Sequence, residues 1–115
     1  MPEFVRVARV SEIPAGGAKT VTAGDYEIAL FNVGGRLYAL EDMCPHQGAP
    51  LADGWLDAAS CTVTCSWHGW CFDVRNGAMK LGDGFEGVPS FEVRIEGDDV
   101  FVASLPRRVE EPAAD

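Results

Sequence analysis

At 115 residues, with 47% of them hydrophobic, the chain is long enough to bury the core of one domain. Its 9 Lys and Arg against 18 Asp and Glu leave a net charge of −9, which argues against nucleic acid and anionic membrane as partners. Near Met1 there is no basic segment leading into an apolar one, and no apolar run could span a bilayer, so a soluble, cytoplasmic protein is expected.

In chain order, Phe4 to Val10 is rich in β-branched residues and predicts a strand, followed by a short capped turn at Ser11-Glu12-Ile13-Pro14. Tyr26 to Val33 and Arg36 to Glu41 are apolar runs joined at Gly34-Gly35, a pair suited to a tight primed hairpin turn. Phe91, Val93 and Ile95 alternate with Ser90, Glu92, Arg94 and Glu96, the period-two pattern of a strand with one wet face. Gly97-Asp98 then turns into Asp99 to Ser104, giving a second hairpin. No helical period and no internal repeat interrupts this pattern. The expectation is an all-β domain over residues 1–105, with antiparallel strands as a base and a glycine-rich unit inserted at about 43–89. The tail, 106–115, is expected to be loose.

The inserted stretch carries the chemistry. Cys44-Pro45-His46 and Cys65-Ser66-Trp67-His68 hold both histidines of the chain and two of its 4 cysteines. Two thiolates and two imidazoles suit zinc or an iron–sulfur cluster. Zinc fingers usually draw cysteines from one hairpin and histidines from a helix. Here each short run offers one sulfur and one nitrogen. A Rieske [2Fe–2S] centre takes two sulfurs on one iron and two imidazoles on the other, a demand that two such loops can meet. Zinc as structural glue stays open at this point, as does a metal-free pair of buried thiols.

The runs Cys44-Pro45-His46-Gln47-Gly48-Ala49-Pro50-Leu51 and Cys65-Ser66-Trp67-His68-Gly69-Trp70 resemble the two cluster-binding boxes of Rieske domains. Phe72-Asp73-Val74-Arg75-Asn76-Gly77 is similar to the strand and turn that close the second box. The resemblance extends over residues 4 to 105. It implies the Rieske fold, an antiparallel β sandwich or barrel carrying a small cluster-binding subdomain. It also implies one Rieske-type [2Fe–2S] cluster per chain, with Cys44 and Cys65 on one iron and His46 and His68 on the other. Gly48 and Gly69 would let backbone amides approach the sulfurs. Pro45 and Pro50 would stiffen the first loop, and Pro89 sits where the family carries a third loop over the cluster.

Departures from the family matter as much. Where the high-potential members carry an extra disulfide between the boxes, this chain has Ala49 and Trp67. Where they carry a serine and a tyrosine that bond the sulfurs, it has Trp70 and Phe72. The resemblance therefore implies a low potential within the range of about −150 to +300 mV. Cys61 and Cys71 are expected to be unligated thiols in core strands. Trp55, Trp67 and Trp70 are expected to pack the small unit, with a partner contact as the alternative, best placed on Trp67. Glu41, Asp42, Asp83 and Glu86 are the acids expected nearest the boxes, on a solvated face.

Both histidines are committed, so no mononuclear iron site is left for an oxygenase, and no glycine-rich dinucleotide fingerprint is present. What the resemblance implies is an electron carrier and not an enzyme, like the ferredoxin components of ring-hydroxylating oxygenase systems. Its partners would be an NAD(P)H-dependent flavoprotein reductase and a terminal oxygenase, and a monomer is expected. The small subunit of an assimilatory nitrite reductase and a zinc-stabilised, non-redox module are the alternatives.

Overall fold

The computed structural model describes residues 3–42, 50–65, 70–81 and 87–106, with 79–81 described by their backbone alone. These residues form strands and two 3-10 turns, and no α-helix occurs among them. An outer sheet runs in the order β1 (Phe4–Arg9), β11 (Asp99–Ala103), β10 (Val93–Glu96). A central sheet runs β2 (Ala18–Ala23), β3 (Tyr26–Val33), β4 (Arg36–Glu41), β9 (Ser90–Phe91). A small sheet is made of β5 (Trp55–Asp57), β6 (Thr62–Thr64), β7 (Cys71–Asp73) and β8 (Met79–Leu81). Every strand pair is antiparallel.

The unbroken apolar run in β3 explains the layering. Successive strand residues point to opposite faces. Ile28 and Leu30 accordingly pack with Ala8, Val21, Phe91, Val100 and Val102, between the central and outer sheets. Ala29 and Phe31 pack with Leu51, Val63, Phe72 and Val88, between the central and small sheets. The central sheet is covered on both faces, so it needs apolar residues at consecutive positions instead of alternate ones. Each Val, Leu, Ile or Phe among them, fully buried, stabilises the fold by about 1.5–3 kcal/mol.

The first hairpin forms as expected. Val33 pairs with Arg36, and Gly34 and Gly35 both have positive φ (62° and 99°), the signature of a primed turn with two left-handed residues. The second hairpin also forms, with Glu96 opposite Asp99 and Gly97 at φ 63°.

Two expectations change, and one strand appears where the sequence shows no signal. The stretch 90–96 is not one strand. Ser90 and Phe91 bond to β4, whereas Val93 to Glu96 bond to β11, so the chain changes sheets at Glu92. Both Ser90 and Phe91 are buried, and Ile95 is 43% exposed, so alternation breaks at the crossing. The turn after β1 is a 3-10 turn, Val10–Glu12, without a side-chain cap; the Ser11 hydroxyl instead donates to Asp98 Oδ2 at 3.3 Å. β2 carries no apolar period that could announce it. Only Val21 and Ala23 are buried there, and pairing with β3 along its whole length holds it.

Candidate metal centre

The three segments without description, 43–49, 66–69 and 82–86, each leave from and return to described residues. Their roots can therefore be compared. Cys44, His46 and His68, three of the four predicted ligands, lie outside the described residues, as do Ala49, Trp67, Asp83 and Glu86. Among the described residues, no group of three or more His, Cys, Asp or Glu is placed to hold a metal ion.

The first segment leaves β4 at Asp42 and returns through Pro50 to the 3-10 turn Leu51–Asp53. Asp42 clasps the two ends together. Its Oδ1 accepts the Ala52 N–H at 2.9 Å, its Oδ2 accepts the Thr20 hydroxyl at 2.7 Å, and its own N–H donates to Glu27 O. Asp42 is buried, which corrects the solvated-face expectation; Glu41 beside it is half-buried, its N–H donating to Pro89 O. An acid directly after an apolar strand and two residues before the first box's Cys44 was the available signal. Its physical meaning is a two-oxygen acceptor at a point where two donors converge.

The second segment is rooted in β6 and β7. Cys65, the fourth predicted ligand, is fully buried at the end of β6, its thiol free of any disulfide. Its N–H donates to Trp70 O at 2.7 Å, so Cys65 and Trp70 stand side by side as the posts of the loop. Trp70 and Phe72, the positions that lack the family's hydroxyls, are buried with Val63 and Leu51 in one apolar core. Gly54 supports the same post. A Cβ there would overlap the Thr64 carbonyl, so only glycine lets the two backbones meet.

The third segment returns through Gly87-Val88-Pro89. Val88 is buried and its N–H donates to Gly77 O at 2.9 Å. Gly77 has φ 80°, and a Cβ on it would overlap the Val88 carbonyl. Pro89 thus stands at the anchor of the third segment.

The turn closing the second box is held by Asp73, which is buried. Its Oδ1 accepts the Arg75 N–H at 2.8 Å and Arg75 Nε at 2.9 Å, and its Oδ2 accepts Arg75 Nη2 at 2.7 Å. That hydrogen bond, and then the Asp73 charge, raise the Arg75 pKa above its ordinary value, so the guanidinium stays charged throughout the working range.

Cys61 and Cys71 are half-buried free thiols, not core residues. Cys71 lies in β7, opposite Thr64. Cys61 lies in the turn before β6 and not in a strand, with φ 58°, a conformation that costs a non-glycine residue energy. The register separates the two by three residues along β6, about 10 Å. A disulfide between them is therefore out of reach. Trp55 is another correction: it is 66% exposed and does not pack the small unit.

The donor set fits an iron–sulfur cluster. Cys65 offers a buried thiol, free of any disulfide, at the root of a segment whose sequence carries a histidine, the soft and harder donor types such a cluster takes. Comparison with known proteins points the same way. Residues 3–92 match the model of the Rieske [2Fe-2S] domain family. Over 100 residues, 86% of this chain and 90% of the relative, the sequence is 37% identical to the biphenyl dioxygenase ferredoxin subunit of Pseudomonas sp. (strain KKS102). It is also 34% identical over 96 residues to apoptosis-inducing factor 3 of Homo sapiens, but spans only 16% of that protein's length. Among solved structures, the ferredoxin of carbazole 1,9a-dioxygenase from Nocardioides aromaticivorans IC177 superposes with a TM-score of 0.83 at 29% identity, covering 87% of this chain and 96% of that one. A chain from the complex of reduced oxygenase and oxidised ferredoxin in carbazole 1,9a-dioxygenase gives 0.82 at 30% identity, covering 90% and 95%.

Proposed function

The chain belongs to the Rieske [2Fe–2S] domain family, and on that footing we propose that it is a one-electron carrier serving a ring-hydroxylating oxygenase. The observation that carries this reading is the near end-to-end match to a dioxygenase ferredoxin subunit, 90% of that relative's length. Residues 1–105 are read as one unit, with 43–89 as its cluster-binding part. We assign Cys44 and Cys65 to one iron and His46 and His68 to the other. The cluster, when bound, supplies a one-electron couple.

The chain's own contribution is rigidity and a dry floor. Phe72, Val63, Leu51 and Trp70 form a dry apolar core around Cys65. Asp42, Gly54, Gly77 and Asp73 fix the roots of the loops, so little reorganises when an electron arrives. Neither Trp70 nor Phe72 has a hydroxyl to bond a sulfur, which supports a potential in the lower part of the Rieske range, about −150 to +300 mV. A terminal oxygenase and an NAD(P)H-dependent flavoprotein reductase complete the chain of transfer. Its likeness to a dioxygenase ferredoxin subunit supports a component that carries electrons and is not itself an enzyme. No helix among the described residues is long and apolar enough to cross a membrane, and the unligated thiols Cys61 and Cys71 suit a reducing compartment such as the cytoplasm.

A reductive titration followed by visible absorption and low-temperature electron paramagnetic resonance tests the reading. The expected result is a red-brown protein that takes up one electron, with the low average g-value of a histidine-ligated cluster. Cys65→Ser should abolish both signals. A colourless, zinc-containing protein with no reducible centre would overturn the proposal.

A further inference from the structure

A single exposed apolar side chain is ordinary on a protein surface. Trp55 is distinguished by where it stands. It lies on β5, the open edge of the small sheet, and pairs with Thr64, the residue before Cys65. The strand register puts Trp55 and Asp57 on the face opposite Leu56, Val63 and Phe72, which face the core; Trp55 and Asp57 are the exposed end of that face, in rows with half-buried Thr64 and buried Thr62. Two thirds of the indole is in water. A tryptophan held in water on a short edge strand leaves apolar area uncovered that a partner could cover.

The charges around it are one-sided. Asp53 and Asp57, two residues to either side, are exposed. From Leu37 to Val74 the sequence contains no Lys or Arg, yet it contains Glu41, Asp42, Asp53, Asp57 and Asp73. The nearest cation along the chain after β5 is Arg75, and it is bound by both oxygens of Asp73. Lys80 stands on β8, the opposite edge of the sheet. All other cations lie before Leu37 or after Phe91. Among the described residues neither Asp53 nor Asp57 is in an ion pair, although Asp57 Oδ1 accepts the Ala59 N–H. An aromatic knob flanked by such carboxylates is complementary to an apolar recess rimmed with Lys or Arg.

We infer that Trp55, with Asp53 and Asp57, is the anchor by which this protein docks on redox partners that present an apolar edge ringed by basic side chains. The inference rests on the carrier function proposed above. Exposed tryptophans that become buried on docking are over-represented among residues whose truncation costs most of the affinity, and the flanking acids would act on the encounter rate. Docking there brings the partner within one strand spacing of the backbone at Thr64-Cys65, about 5 Å.

The test is reduction of cytochrome c, a lysine-rimmed haem protein, by the dithionite-reduced holoprotein, with ferricyanide as a small oxidant that needs no docking surface. Trp55→Ala should lower the second-order rate with cytochrome c about tenfold, leaving the visible spectrum, the potential and the ferricyanide rate as in the wild type. Trp55→Phe should recover most of the loss. Asp53→Lys with Asp57→Lys should flatten the fall of the cytochrome c rate with salt. An unchanged cytochrome c rate in Trp55→Ala would overturn the inference and leave the carrier function standing. A wild-type protein that accepts no electron from dithionite would overturn both.

Discussion

The outer and central sheets and the small sheet are built on different physics. In the first two, β1 to β4, β10 and β11 run four to eight residues, and their inward residues form two broad apolar layers. Asn32, donating to Ile13 O at 2.6 Å and accepting from Gly35 N at 2.8 Å, adds a buried polar tie, as Asp42 does through Thr20. In the small sheet every strand has three residues. Strands that short cannot hold their own register, and close backbone approaches and side-chain-to-backbone bonds replace length. Gly54, Gly77, Asp57, Asp73 and Asn76 all serve in this way. The larger sheets are held by buried area, which tolerates small errors of position. The small one is held by position, which does not.

That contrast can be broken or sharpened by substitution. The largest effect is expected from the core of β3. Phe31→Ala and Leu30→Ala should each cost about 2–5 kcal/mol in thermal or denaturant unfolding. They should differ in the order of events. Phe31 faces the small sheet, so its loss should perturb the visible spectrum before the β circular dichroism melts. Leu30 faces the outer sheet, so its loss should leave the two transitions coincident. Coincident transitions in both variants would show that the two regions unfold as one.

Next comes Gly77→Ala. Its left-handed φ and the overlap with Val88 O should together cost about 2–3 kcal/mol, read as a lower unfolding midpoint. Asp42→Ala removes the acceptor shared by Thr20 and Ala52 and should cost about 1–2 kcal/mol, with faster loss of the cluster on dilution into chelator than of β structure. Smallest is Gly34→Ala. It carries the same sign of φ as Gly77 but meets nothing within 4 Å, so about 1 kcal/mol is expected and the cluster spectrum should not change. Equal costs at Gly77 and Gly34 would mean that backbone conformation alone matters and that the close approach to Val88 does not.

The sequence made the long elements legible because burial and period coincide there. β1, β3, β4 and the hairpin of β10 and β11 stand where the apolar runs and the glycine turns placed them. β2 escaped because its support is hydrogen bonding to β3, which leaves no mark on composition. The break at Glu92 escaped because a strand that changes sheets keeps its alternation for only two or three residues on each side. The three-residue strands of the small sheet are too short to show any period. At the candidate site the residue types in the two boxes were legible, since few proteins pair Cys and His in that way. The burial of Asp42 and the exposure of Trp55 were not. Both depend on which neighbours happen to converge, and an acid or an indole reads the same from sequence whether it faces the core or the water.

The crossing at Glu92 has a consequence for how the chain could be recut. Ser104 N–H donates to Glu3 O at 2.8 Å, so the two ends of the described chain already touch and a short linker could join them. New termini opened at Gly34-Gly35 would leave each strand with its partner. New termini opened at Glu92 would sever a segment hydrogen-bonded into both the outer and the central sheets with a single residue between the two strands. Circular permutants of this fold should therefore be viable at the first hairpin and fail at the seam.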